Sequence, residues 1–122
     1  MLFVIHATDK KDGMPTRAKF YRAHRTHLDH ATAEGVHVLT AGPLVADDGE
    51  TPIGSLFIVE AEDRATVEAF CRVDPYRVDG VWETVRLLNL KKPLAPPKAV
   101  PPVRAAVKEI FTQLASESVL LL

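Results

Sequence analysis

Two polar signals stand far apart in the sequence, His24 and the triplet Asp74-Pro75-Tyr76. Between them runs Leu39-Thr40-Ala41-Gly42-Pro43-Leu44, which reads as a strand entering a fixed turn. A histidine and a carboxylate held at two element ends can form an oriented acid/base pair. The carboxylate accepts one ring N–H, which fixes the tautomer and leaves the other nitrogen as a base. Asp74 falls where a helix should stop, because Pro75 pushes the residue before it toward extended backbone. Both residues also have a plainer reading. A lone histidine on an apolar helix face is more often a satisfied core residue, and Asp74 can simply be the residue that ends a helix.

The remaining candidate groups carry weaker signals. His24, His27 and His30 share one helix at spacings of three and spread over about a third of its circumference. A pair at that spacing can share a metal, but only with ligands from elsewhere, and no HExxH or cysteine-rich spacing accompanies them. No metal site is expected. His6 and His37 belong to strands and read as structural. The single cysteine, Cys71, excludes an intramolecular disulfide and lies in the apolar stretch Phe70-Cys71-Arg72-Val73, which suits packing.

These residues need elements to position them. Residues 2–7 read as a first strand. Pro15 suits the first turn of a helix that runs to about Glu34, with Gly35 just past its end. On a 3.6-residue period Phe20, His24, Leu28 and Ala31 share one face, while Arg22, Arg25 and Asp29 point to water. Residues 36–41 form strand two, closed by Gly42-Pro43, and residues 54–61 form strand three after a solvated loop. Asp63 is a good N-cap for a second helix bearing Val67, Phe70 and Val73. Residues 81–90 form strand four. The order β-α-β-β-α-β predicts an α+β, ferredoxin-like sandwich with both helices on one side of a four-stranded antiparallel sheet.

Apolar residues occupy both faces of those strands. Leu2 and Val4 alternate with Phe3 and Ile5, Phe57 and Val59 with Leu56 and Ile58, and Trp82, Leu88 and Leu90 with Val81, Val85 and Leu87. A sheet face left in water should be more polar. The pattern therefore predicts a homodimer, or a higher homo-oligomer, with two sheets packed face to face.

Size and charge agree with a small globular domain. The chain has 122 residues and a net charge of −1, which gives no basic surface for nucleic acid. No apolar run approaches the ~18 residues of a membrane helix, and the N-terminus lacks a basic signal-peptide region. A cytoplasmic location is the default expectation. Composition changes after residue 93. Residues 94–102 read as a proline-rich linker, and residues 103–122 as a helical extension with Val103, Val107, Ile110, Phe111 and Leu114 on one face.

The ordered set of the N-terminal strand, Arg22-Ala23-His24, Leu39-Thr40-Ala41-Gly42-Pro43-Leu44, Gly54-Ser55 and Asp74-Pro75-Tyr76 resembles the YciI-like (YCII-related domain) family over about residues 1–93. The resemblance implies a ferredoxin-like fold paired as a dimeric α/β barrel. It also implies an active site built on His24 and Asp74, with Ser55 lining the pocket. The histidine triplet and the proline-rich extension depart from the usual short family pattern. One branch resembling this chain is associated with removing chloride from chlorinated hydroxyquinols. Such chemistry needs a base and an oriented ring but no redox cofactor, so no cofactor is expected.

In that reading His24 moves a proton and Asp74 steadies the imidazolium. Ser55 or the backbone beside Gly42 and Pro43 holds a substrate oxygen, and Tyr76 forms a wall or donates a hydrogen bond. The function expected is a small cofactor-independent isomerase or lyase, dehydrochlorinase-like, acting on a small, aromatic or lactone-like molecule. The alternative is a non-catalytic small-molecule-binding or protein-association module using the same pocket.

Overall fold

Strand β1 (Leu2–Asp9) leads into helix α1 (Met14–Asp29) and a 3-10 turn (Ala31–Glu34). Strands β2 (His37–Val45) and β3 (Pro52–Glu60) follow, then helix α2 (Arg64–Arg72), the short helix α3 (Pro75–Val78) and strand β4 (Trp82–Leu90). This is a computed structural model, and it describes residues 1–91, 107–108 and 110–115. The strands make one antiparallel sheet in the order β2-β3-β1-β4, the ferredoxin-like arrangement that the element order predicts. The chain divides into two compact units, Met1–Lys92 and Pro93–Leu122, and the first contains every element named above. Residues 107–108 and 110–115 are helical, whereas the proline-rich segment 94–102, Val103 and the chain end lie outside the described residues.

The core forms on one face of the sheet. Phe3, Ile5 and Ala7 of β1 and Phe57 and Val59 of β3 are buried against Val67 and Phe70 of α2. The alternate residues Leu2, Val4, Leu56 and Ile58 are only half-buried on the opposite face, and Leu88 and Leu90 of β4 are exposed there. Asp63 caps α2 as its sequence position suggests, accepting from the Thr66 N–H at 2.8 Å. Hydrogen bonding from Thr66, side chain first and backbone second, lowers the Asp63 pKa below the usual carboxylate value.

Four local features depart from the sequence expectations. The first helix ends at Asp29, not near Glu34. His30 leaves the helical region and its N–H is shared between the Thr26 and His27 carbonyls, so the chain tightens into the 3-10 turn. Gly35 then supplies the left-handed residue, with φ +80°. Gly42-Pro43 does not close β2 as a turn but lies inside it, with Pro43 opposite Ser55. β2 is an edge strand, where a residue without an N–H is tolerated. Pro75 does end α2, yet it also starts α3, with Asp74 as its N-cap. Finally, the β1–β4 register shifts between Thr8 and Asp9, where Glu83 of β4 is the extra residue. That bulge turns Trp82 into the core, away from the face that carries Leu88 and Leu90.

Candidate active site

Helix α1 and the N-terminus of α3 bring His24 and Asp74 together. The His24 Nδ1–H donates to Asp74 Oδ1 at 2.8 Å and lies 3.1 Å from Oδ2. An ionised carboxylate only accepts, so Nδ1 carries the proton. Asp74 Oδ1 also accepts from the Tyr76 N–H at 2.9 Å, the hydrogen bond that caps α3. Asp74 is 1% exposed and His24 6%, so the pair is held away from water. The His24 ring lies flat on Tyr76, with centroids 3.9 Å apart and 5° between planes, and meets Trp82 edge-on. Ring position and tautomer are therefore both fixed. Nε2 bonds to no described residue, yet no sealed side-chain nitrogen or oxygen lacks a partner among them, so Nε2 reaches open space.

A second buried polar group lies beside the first. Arg17 grips Asp9 with its Nε–H to Oδ2 at 2.9 Å and its Nη2–H to Oδ1 at 3.1 Å. Nη2 also donates to the Gly54 carbonyl and to Ser55 Oγ, both at 2.8 Å. Ser55 Oγ accepts again from the Trp82 indole N–H at 3.3 Å. Gly54 is required by the close pairing of β3 with β1 here, since a side-chain carbon there would overlap the Ala7 carbonyl oxygen. The Arg17 guanidinium carbon sits 4.8 Å from the centre of the Tyr76 ring. Burial raises the Tyr76 pKa, so its hydroxyl stays neutral and donates weakly to the Arg17 carbonyl at 3.4 Å.

Between α1 and the β2–β3 side of the sheet lies a cavity of about 280 Å³. His24, Ser55, Tyr76, Gly42 and Pro43 all line it, so every sequence-derived candidate except Asp74 touches one space. Asp74 stands behind His24. Arg17, Arg25 and Phe57 are further lining residues. Arg17 was not among the candidates drawn from sequence, although it precedes His24 by seven residues, two helical turns, and so shares its face.

The three helical histidines go to separate partners. His27 Nε2–H donates to the Phe70 carbonyl at 2.9 Å, tying α1 to α2, and the exposed His30 Nδ1–H donates to the Thr26 carbonyl at 2.8 Å. No group of three or more His, Cys, Asp or Glu side chains that could hold a metal occurs among the described residues. Cys71 is buried, and desolvation is the main cause that pushes its thiol up to about 12, so it is not a nucleophile at neutral pH. No helix among the described residues is long and apolar enough to cross a membrane.

A helix-borne histidine steadied by a capping carboxylate, on a ferredoxin-like sandwich with an adjoining cavity, defines the class of site. The YCII-related domain matches residues 1–91, and the chain belongs to this family. Protein YciI of Escherichia coli O6:H1 is 38% identical over 97 residues, covering 75% of this chain and 98% of that protein. Protein YciI of Shigella flexneri matches to the same extent. Among solved structures, the 5-chloro-2-hydroxyhydroquinone dehydrochlorinase TftG of Burkholderia phenoliruptrix AC1100, in complex with 2,5-dihydroxybenzoquinone, superposes with a TM-score of 0.65. It is 28% identical, covering 75% of this chain and 94% of that one.

Proposed function

We propose that the chain is a small enzyme of the isomerase or lyase type that uses His24 and Asp74 to move a proton on a small, flat molecule. The observation that carries this reading is the 2.8 Å Nδ1–Oδ1 hydrogen bond, which leaves Nε2 as an unspent base beside the cavity. His24 takes a proton through Nε2, and Asp74 stabilises the imidazolium that results. Similarity to the dehydrochlorinase supports chloride elimination as one version of this chemistry. Loss of a proton and a chloride from a chlorinated hydroxyquinol leaves a hydroxyquinone, and the balance requires no external oxidant or reductant.

His24→Asn tests the reading. The amide keeps a donor near the Nδ1 position for Asp74 but has no base where Nε2 was. Turnover, assayed as chloride release from chlorinated hydroxyquinols, is expected to fall by about 10²–10⁴-fold, with the circular-dichroism spectrum unchanged. Turnover within twofold of the parent would refute the role of His24.

The same reading includes assembly as a homodimer through the second face of the sheet. Leu2, Val4, Leu56, Ile58, Leu88 and Leu90 give that face an apolar patch beside His6 and Arg86, partly exposed in the single chain. Burying apolar area is worth about 25 cal/mol per Å², which favours pairing with a second copy. Ile58→Lys places a charge in the middle of the contact. Sedimentation is expected to show a dimer for the parent and a monomer for the variant; a monomeric parent would overturn the proposal.

A further inference from the structure

From the donors left over around the cavity, we propose that Arg17 and Ser55 form an anion subsite, and that the occupant is a planar conjugated oxyanion, a phenolate or enolate. The proposal names the substrate class of the site above and so rests on that reading. Three observations support it.

First, Arg17 is spent along only one edge. Nε and Nη2 carry its hydrogen bonds to Asp9, Gly54 and Ser55. The guanidinium also interacts with the Tyr76 hydroxyl, itself part of the cavity wall, and Nη1 makes no further hydrogen bond with the described residues, although the side chain is 9% exposed and lines the cavity. Since no sealed nitrogen or oxygen among the described residues lacks a partner, Nη1 retains access to open space. A rigid, permanently charged fork thus keeps N–H capacity for a ligand.

Second, Ser55 is constrained to donate. A hydroxyl has two lone pairs and one proton. Arg17 Nη2 and Trp82 Nε1 occupy both lone pairs of Ser55 Oγ. Its own proton is given to no described residue, and Ser55 lines the cavity. Arg17 therefore both polarises this hydroxyl and orients it, and the two present donors from one corner.

Third, the described residues of the cavity wall include no carboxylate. Its ionisable and polar members are Arg17, Arg25, His24, Ser55, Tyr21 and Tyr76. Asp9 and Asp74 stand behind Arg17 and His24, each consumed by its partner. Among the described residues, an anion would meet donors and a base. Phe57, Tyr76 and Pro43 supply flat apolar walls, which suit a conjugated ring or an enolate and not a hydrated inorganic ion. A base facing an oxyanion subsite also fits proton removal, because the negative charge that remains on the substrate falls where the donors already point.

The probe is 4-nitrophenol, whose phenolate is read by its absorption; nitrobenzene is the uncharged control. Wild-type protein is expected to bind the phenolate at least about tenfold more tightly than the phenol, lowering the ligand's ionisation midpoint by about one unit. Ser55→Ala, which removes only a hydroxyl, is expected to lose part of this preference. Arg17→Gln is made together with Asp9→Asn, so that no carboxylate is left unpaired, and is expected to abolish it. Nitrobenzene binding should be the same in all folded proteins. Preference for the neutral phenol, no phenolate binding up to millimolar concentration, or an undiminished preference in Ser55→Ala and in the double variant would each overturn the proposal. Binding needs no turnover, so the outcome is separable from that of His24→Asn. No anion preference in the wild-type protein, with His24-dependent turnover intact, removes the subsite alone. Retained preference with His24-independent turnover removes the catalytic reading alone.

Discussion

Asp74→Ala is expected to lower both turnover and stability, by about 10²–10⁴-fold and about 2–5 kcal/mol respectively. One carboxylate serves two structures. It accepts the His24 Nδ1–H and, through the same Oδ1, the Tyr76 N–H that starts α3. Alanine leaves both donors without an acceptor in a site that is 1% exposed. Losing a helix cap alone costs about 0.5–2 kcal/mol, and leaving the buried neutral His24 N–H without an acceptor adds about 1–3 kcal/mol. Asp74→Asn separates the effects. Its carbonyl oxygen preserves one acceptor, so the fold should lose less. Without the charge, the imidazolium formed during proton transfer is no longer stabilised, and turnover should still fall by at least about tenfold. Urea unfolding midpoints beside steady-state rates check both parts. Full activity in Asp74→Asn would show that the charge of Asp74 has no part in proton transfer.

Asp9→Ala has the second large effect, and it falls mainly on the fold. The Arg17–Asp9 pair is nearly sealed, with side chains 9% and 5% exposed. A buried ion pair is not in itself strong support for stability, because desolvation offsets much of the attraction. Removing one partner is different. The guanidinium then remains charged in a dry site, at a cost of about 3–5 kcal/mol. Arg17 reaches Gly54 and Ser55 from the same nitrogen that grips Asp9. Loss of Asp9 is therefore expected to loosen the seam between α1 and the β1–β3 ladder, with faster amide exchange at Ala7 and Gly54. Asp9→Ala/Arg17→Met removes both charges and should recover most of the loss. If the double variant is as unstable as the single one, the cost lies in packing and not in an unpaired charge.

Much of this arrangement is legible in the amino-acid sequence, and the exceptions have physical causes. His24 is visible because a polar ring interrupts an apolar helical stripe. Asp74 is visible because a carboxylate before proline has only a few conformations open to it. The element order follows from strand periodicity and from Pro15, Gly35 and Asp63 as boundary residues. Arg17 was missed because a lone arginine on a helix ordinarily belongs to water. Its partner Asp9 sits at the end of β1, across a tight loop. Trp82 was placed on the wrong face because strand alternation assumes an unbroken register, and the bulge at Glu83 adds one residue. Gly42-Pro43 resembles a turn in isolation. Only the sheet order, which puts β2 at an edge, shows why it can remain in a strand. The last two misses share a cause: each depends on how the strands pair across the sheet.

The most direct measurement is the nitrogen chemical shifts of the His24 ring, taken by NMR on ¹⁵N-labelled protein at a pH where the ring is neutral. A protonated, pyrrole-like Nδ1 hydrogen-bonded to Asp74 and a bare, pyridine-like Nε2 far downfield of it are the expected result. A proton on Nε2 with a bare Nδ1 would contradict it, since the ring would then have no base to offer the cavity.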